Sequence, residues 1–296
     1  MNGVRRLFTG ADRRLQPIWR AVLFVIASIV IQTSFLDWSF ARAAEWLRLP
    51  QNLSPAALAL AEFENFVTAF IVTGAFALYE RRRVDSYGLP IDRAFGRQTF
   101  EGMTAGILVA GAVAIGMILL GGMHIKGLAL AGGMLAGYAL AWLGANICVG
   151  IAEEFWFRGY LQQTLWKGIG FWPASAVIAL IFAAVHYFFK QGENLRDVIT
   201  LLSLSLLLSY SILRTGTLWF AVGFHIAFDY MQLFVIGSPN GALIPVGRLL
   251  NVRFTGPPWL TGGVLGTEAS VLMYPAIVLL WLYIWWRYRA DPPLKV

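Results

Sequence analysis

Three short stretches of this chain place ionisable residues inside apolar runs. They are Glu153-Glu154-Phe155-Trp156-Phe157-Arg158, Phe182-Ala183-Ala184-Val185-His186 and His225-Ile226-Ala227-Phe228-Asp229. A charged side chain in hydrocarbon costs roughly 3 kcal/mol or more, so such residues pair with each other or do chemistry. On a helix Glu154 and Arg158, four apart, share a face and can pair. Glu153 stands about 100° round the axis from Glu154 and is free to point elsewhere. His225 and Asp229 also lie four apart, so the carboxylate can orient the imidazole. Each stretch alone has a plain reading: a charge cluster, a hydrogen-bonded packing histidine, a satisfied buried pair. Together they bring carboxylates and two imidazoles to one place from three helices. Glu153 can then take a proton from water, while an imidazole or a protonated Asp229 stabilises a tetrahedral oxyanion. The same side chains could instead hold Zn²⁺, with His186, His225 and Glu153 or Asp229 as ligands and one position left for water. The His-Glu-x-x-His pattern of single-helix zinc sites is absent. His124, in a short turn with Lys126, reads as solvated.

The elements that carry these residues must be membrane helices. Of 296 residues, 58% are hydrophobic and 13% charged, with mean hydropathy +0.65, whereas soluble domains carry about 25% charged residues. Eight apolar runs approach the ~20 residues a span needs: about 18–36, 63–79, 102–121, 128–149, 174–189, 198–213, 217–236 and 269–286. The fold class expected is an all-α polytopic bundle. Glycines in the third run (Gly102, Gly106, Gly111, Gly116) and the fourth (Gly132, Gly133, Gly137, Gly144) would let helices approach closely. The first run is longer than a signal-peptide core and reads as a retained helix.

With the N-terminus cytoplasmic, the inner segments hold 16 Lys and Arg and the outer ones 7. That bias and the even number of spans agree on both termini inside. Residues 1–16 read as a basic tail, 37–62 as an outer connection, 80–101 as an inner loop, and 237–268 as a long outer loop without chemistry. The net charge of +7 comes without a basic stripe of interleaved aromatics, so nucleic acid is not an expected partner. The single cysteine, Cys148, excludes an internal disulfide. The chain divides into 1–126 (tail and three spans), 127–240 (a core of four spans with the chemistry) and 241–296 (outer loop and last span).

The three motifs in order, Glu-Glu-x-x-x-Arg, Phe-x-x-x-His and His-x-x-x-Asp, resemble those of the CAAX protease and bacteriocin-processing (CPBP or Abi) family, which includes the Rce1-type prenyl-protein endopeptidases. The resemblance covers roughly residues 130–236, close to a third of the chain. It implies an eight-helix intramembrane endopeptidase with a cavity open to the cytoplasmic leaflet. By the same resemblance Glu153 activates water, His186 assists, His225 and Asp229 hold the oxyanion or orient the peptide, and Arg158 pairs with Glu154. The family is described both as metal-dependent and as glutamate-dependent, so the cofactor is either none or zinc. Rce1-type enzymes carry Asn where this chain has Asp229, which weakens the oxyanion role there. The partners implied are the lipid bilayer and a membrane-associated peptide or protein, CAAX-type and prenylated or otherwise. The setting implied is a bacterial plasma membrane. Two other functions compete: an immunity-type, non-catalytic protein on the same scaffold, and a proton-coupled transporter. The transporter reading is weakened because no inverted repeat is visible.

Overall fold

The computed structural model describes residues 8–9, 14–50 and 52–289, so most of the basic tail expected at 1–16 lies outside the described residues. Among the described residues eight helical segments are long and apolar enough to cross a bilayer: α1 Pro17–Trp46, α2 Pro55–Glu80, α3 Arg97–Leu119, α4 Gly133–Ile169, α5 Phe171–Phe189, α6 Leu195–Thr215, α7 Trp219–Ile236 and α8 Gly263–Arg287. The chain is a multi-pass, all-α membrane bundle. A helix satisfies its own backbone in lipid, and several ends here carry an identifiable cap or stop. Ser54 accepts a hydrogen bond from the Ala57 amide and Pro55 takes the first helical position of α2. Asn194 caps α6 through the amides of Arg196 and Asp197, and Gly216 ends it in the left-handed region.

Several boundaries differ from the sequence expectation. The connection expected at 37–62 shrinks to the stretch between Trp46 and Pro55, because α1 runs on through a π-helical turn at Gln32–Leu36 and α2 starts early. The fifth and sixth spans, short by hydropathy, are full-length helices of 19 and 21 residues. Arg196, Asp197 and Arg214 had hidden the ends of the sixth, and Pro173, in the first turn, the start of the fifth. A two-stranded antiparallel sheet joins β1 Met123–Leu128 to β2 Leu250–Phe254, with Ile125 opposite Val252. It ties the α3–α4 connection to the loop after α7. His124 lies on β1 and is exposed, as its sequence setting suggested.

α7 is the central helix: 72% of its apolar window is buried, against 17% for α1. It lies flat on α3 because glycines remove the side chains between them. A Cβ on Gly223 would stand 2.0 Å from the Thr99 carbonyl oxygen, and one on Gly102 2.0 Å from that of Phe220. Of the other glycines expected at close approaches, Gly111, Gly132, Gly133, Gly137 and Gly144 face open space and pack nothing. Two buried clusters flank the centre. One joins α3, α6, α7 and α8 through residues such as Val113, Leu207, Phe224 and Ile277. The other joins α1, α2, α4, α5 and α6 through Phe24, Val72, Tyr160, Ile178 and Leu201. The charged motifs lie at the seam.

Candidate active site

Near the end of its long run α4 stops being a regular α-helix. Residues Phe157–Leu161 form a π-helical turn with Gly159 off helical geometry (φ −72°, ψ −117°). Directly after Asp229, α7 changes in the same way over Tyr230–Ile236. Such turns occur often at functional sites, and here each follows an acid-bearing stretch.

Arg158 and Glu154 are fully buried and pair through Nη1 and Oε1 at 2.8 Å. A buried pair is held only when further hydrogen bonds support it. Arg158 Nη2 also donates to Ser205 Oγ at 2.9 Å on α6, and its guanidinium lies 5.4 Å from the centre of the Phe182 ring on α5. Glu154 Oε1 also faces His225 Nδ1 at 3.1 Å. One carboxylate therefore joins α4 to α7, and its arginine joins α4 to α5 and α6.

This contact fixes the imidazole of His225. With Nδ1 turned to Glu154, Nε2 points to Glu153 Oε2 at 3.6 Å and Asp229 Oδ2 at 3.5 Å. Glu153 Oε2 is buried and makes no hydrogen bond to the described residues. On α5, His186 Nδ1 lies 2.9 Å from the Phe182 carbonyl oxygen. A carbonyl only accepts, so Nδ1 carries the proton and Nε2 presents a lone pair. Glu153, Arg158, Phe182, His186, His225 and Asp229 line one cavity of about 140 Å³, which Glu154 backs from the core. The structure thus brings all six sequence-derived site residues together.

Other polar residues on the cavity wall escaped the sequence reading. Glu62 on α2 lines it and accepts from Asn65 Nδ2 at 3.2 Å. Starting the second span at 63 had put Glu62 in a loop, although an acid following six apolar residues was a usable signal. Lys190, Asn240 and Glu268 line it as well, so the connection after α7 and the start of α8 are not without chemistry. Lys190 forms ion pairs with Glu268 and, at 3.7 Å, with Glu193. Burial disfavours the Lys190 ammonium, but Glu268, Asp197 and Glu193 outweigh it and hold its pKa above the ordinary lysine value. Nothing local in the sequence pairs residues 78 positions apart.

Among the described residues, no group of three or more His, Cys, Asp or Glu side chains is arranged to hold a metal ion. Both ring nitrogens of His225 already face carboxylates. The zinc set of His186, His225 and Glu153 or Asp229 does not fit a metal in this arrangement.

No curated protein matches this chain. A family model described as Type II CAAX prenyl endopeptidase Rce1-like matches residues 135–231. The match runs from the start of α4 into the π turn of α7 and includes every charged motif described above. An Rce1-like CAAX protease family domain is thus detected over this part of the chain.

Proposed function

We propose that the protein is an intramembrane endopeptidase that hydrolyses a peptide bond of a membrane-associated protein or peptide, with Glu153 as the base. The observation that carries this reading is the Glu153 carboxylate: Oε2 is buried without a hydrogen-bond partner among the described residues, yet faces His225 Nε2 on the wall of a cavity. An acceptor in that position receives a proton from water. The hydroxide so formed attacks the scissile carbonyl, and Glu153 returns the proton to the leaving amine. His186, with its Nε2 lone pair open, helps orient the water. His225, held as the imidazolium by carboxylates at both ring nitrogens, donates from Nε2 to the developing oxyanion while Asp229 holds the ring in place. Glu154 and Arg158 are positioning residues: the first orients the His225 ring and the second ties the site to α5 and α6. No step is routed through a metal.

Positioned acid–base groups contribute about 10²- to 10⁴-fold to rate. Glu153→Gln, nearly isosteric, is expected to lower cleavage of a membrane-anchored peptide by that factor while the protein still inserts and migrates as a folded species. Full cleavage by this variant would remove Glu153 from the role. Full biological function without cleavage would favour the non-catalytic reading.

A further inference from the structure

Eight traverses sort the connections of the chain into two sets. The first comprises 47–54, 120–132, 190–194 and 237–262. The second comprises 81–96, the short turns at Gly170 and Gly216–Leu218, and both chain ends. The cavity wall draws only on the first set and the helices near it. Leu53, Lys190, Asn240 and Glu268 stand around it, and no residue of the second set contributes. Leu58 and Glu62 of α2 and Phe182 and His186 of α5 also line the cavity, although these two helices are not a packed pair.

The end of the bundle near the second set is sealed. Glu80 accepts from Tyr160 at 2.8 Å, from Tyr87 at 3.0 Å and from Arg20, and all four residues are buried. The Tyr87 phenol has its pKa held above the ordinary value by burial and by the Glu80 carboxylate beside it. This network closes α1, α2 and α4 against each other.

Charge now gives the two faces a direction. Within these bounds the second set carries 10 Lys and Arg, and the first set 5. Basic segments stay in the cytoplasm. From this placement we infer that the cavity opens on the extracytoplasmic face. This is opposite to the cytoplasmic opening that the family resemblance implies. Given the endopeptidase reading above, the substrate is a polypeptide segment presented at the outer surface of the membrane, not a chain prenylated in the cytoplasm.

Orientation can be tested without activity. In the full chain with Cys148→Ala, Asn251→Cys on exposed β2 marks the cavity face and Asp92→Cys marks the sealed face; both native residues are exposed. Intact cells are treated with a membrane-impermeant maleimide, then permeabilised and treated again. Asn251→Cys labelled in intact cells, with Asp92→Cys labelled only after permeabilisation, is the expected result. The reverse pattern, or labelling of both in intact cells, overturns the inference.

A second arm uses two single-span reporters, one presenting its cleavable segment outside and one inside. Cleavage of the outer reporter alone, lost in Glu153→Gln, is expected, and Glu153-dependent cleavage of the inner reporter alone overturns the inference. If labelling is as expected and neither reporter is cut, the outward mouth stands and the endopeptidase reading fails.

Discussion

At the scale of single residues, His225 is where the site converges. Its ring lies among Glu153, Glu154 and Asp229, at 3.6, 3.1 and 3.5 Å. The two longer contacts are ion-pair distances, whereas the Glu154 contact is a hydrogen bond. The role proposed for Asp229 is to hold Nε2, which an amide oxygen also can do. Asp229→Asn is therefore expected to keep most of the activity and Asp229→Ala to lose about tenfold or more in kcat at similar KM, the loss of an interaction made in the transition state. An Asn variant as impaired as the Ala variant would make the carboxylate charge itself essential. Purified protein is expected to retain activity after chelation and dialysis and to hold less than stoichiometric zinc by elemental analysis. Tight zinc lost together with activity would turn the histidines into ligands. These six residues were legible in the sequence because an ion inside an apolar run stands out without any knowledge of the fold. Glu62 was missed because the second span was started one residue after it, and Lys190 and Glu268 because their pairing is tertiary.

At the scale of elements, the geometry of His225 depends on glycine. Gly223 lies two residues before it, with its Cα against the backbone of α3. A side chain there must push α7 away, and overpacking of this kind costs about 1–3 kcal/mol or more. Gly223→Val is expected to lower the thermal midpoint and to abolish cleavage, although residue 223 touches no reacting group. Gly111→Ala, which meets open space on α3, is expected to leave both unchanged. Unfolding in detergent and peptide cleavage measured side by side check the pair. Spacing alone treated all the glycines of the third and fourth spans alike. Which of them face a neighbour depends on helix rotation, and hydropathy does not record it in helices surrounded by lipid. The β1–β2 ladder was hidden for a related reason: its strands are short and lie far apart in sequence.

At the scale of the whole molecule, the number of traverses followed from hydropathy because hydrocarbon thickness sets a minimum length. The exact ends did not, since Ser54, Asn194 and Gly216 set them through local hydrogen bonds and backbone conformation. The first helix has little buried surface to hold it, so its docking rests heavily on the Arg20–Glu80 pair at the sealed end. Removing one partner of a buried ion pair costs about 3–5 kcal/mol. The two tyrosines still donate to Glu80, so Arg20→Ala is expected near the lower end of that range. Its signature would be early protease cleavage between Trp46 and Pro55, with the rest of the bundle still folded. A variant as stable and protease-resistant as the parent would place the docking of α1 elsewhere.

The π turns at Phe157–Leu161 and Tyr230–Ile236 have a consequence for comparing chains. A π turn arises where an α-helix accommodates an additional residue, so homologous helices with and without one fall out of phase by one position. Alignments of relatives should therefore carry single-residue gaps within or beside these turns. The intervals Glu153–Glu154, Phe182–His186 and His225–Asp229 all lie outside them and can be compared as fixed lengths. The interval from Asp229 to Gly237 crosses a turn, and its length is no guide to kinship.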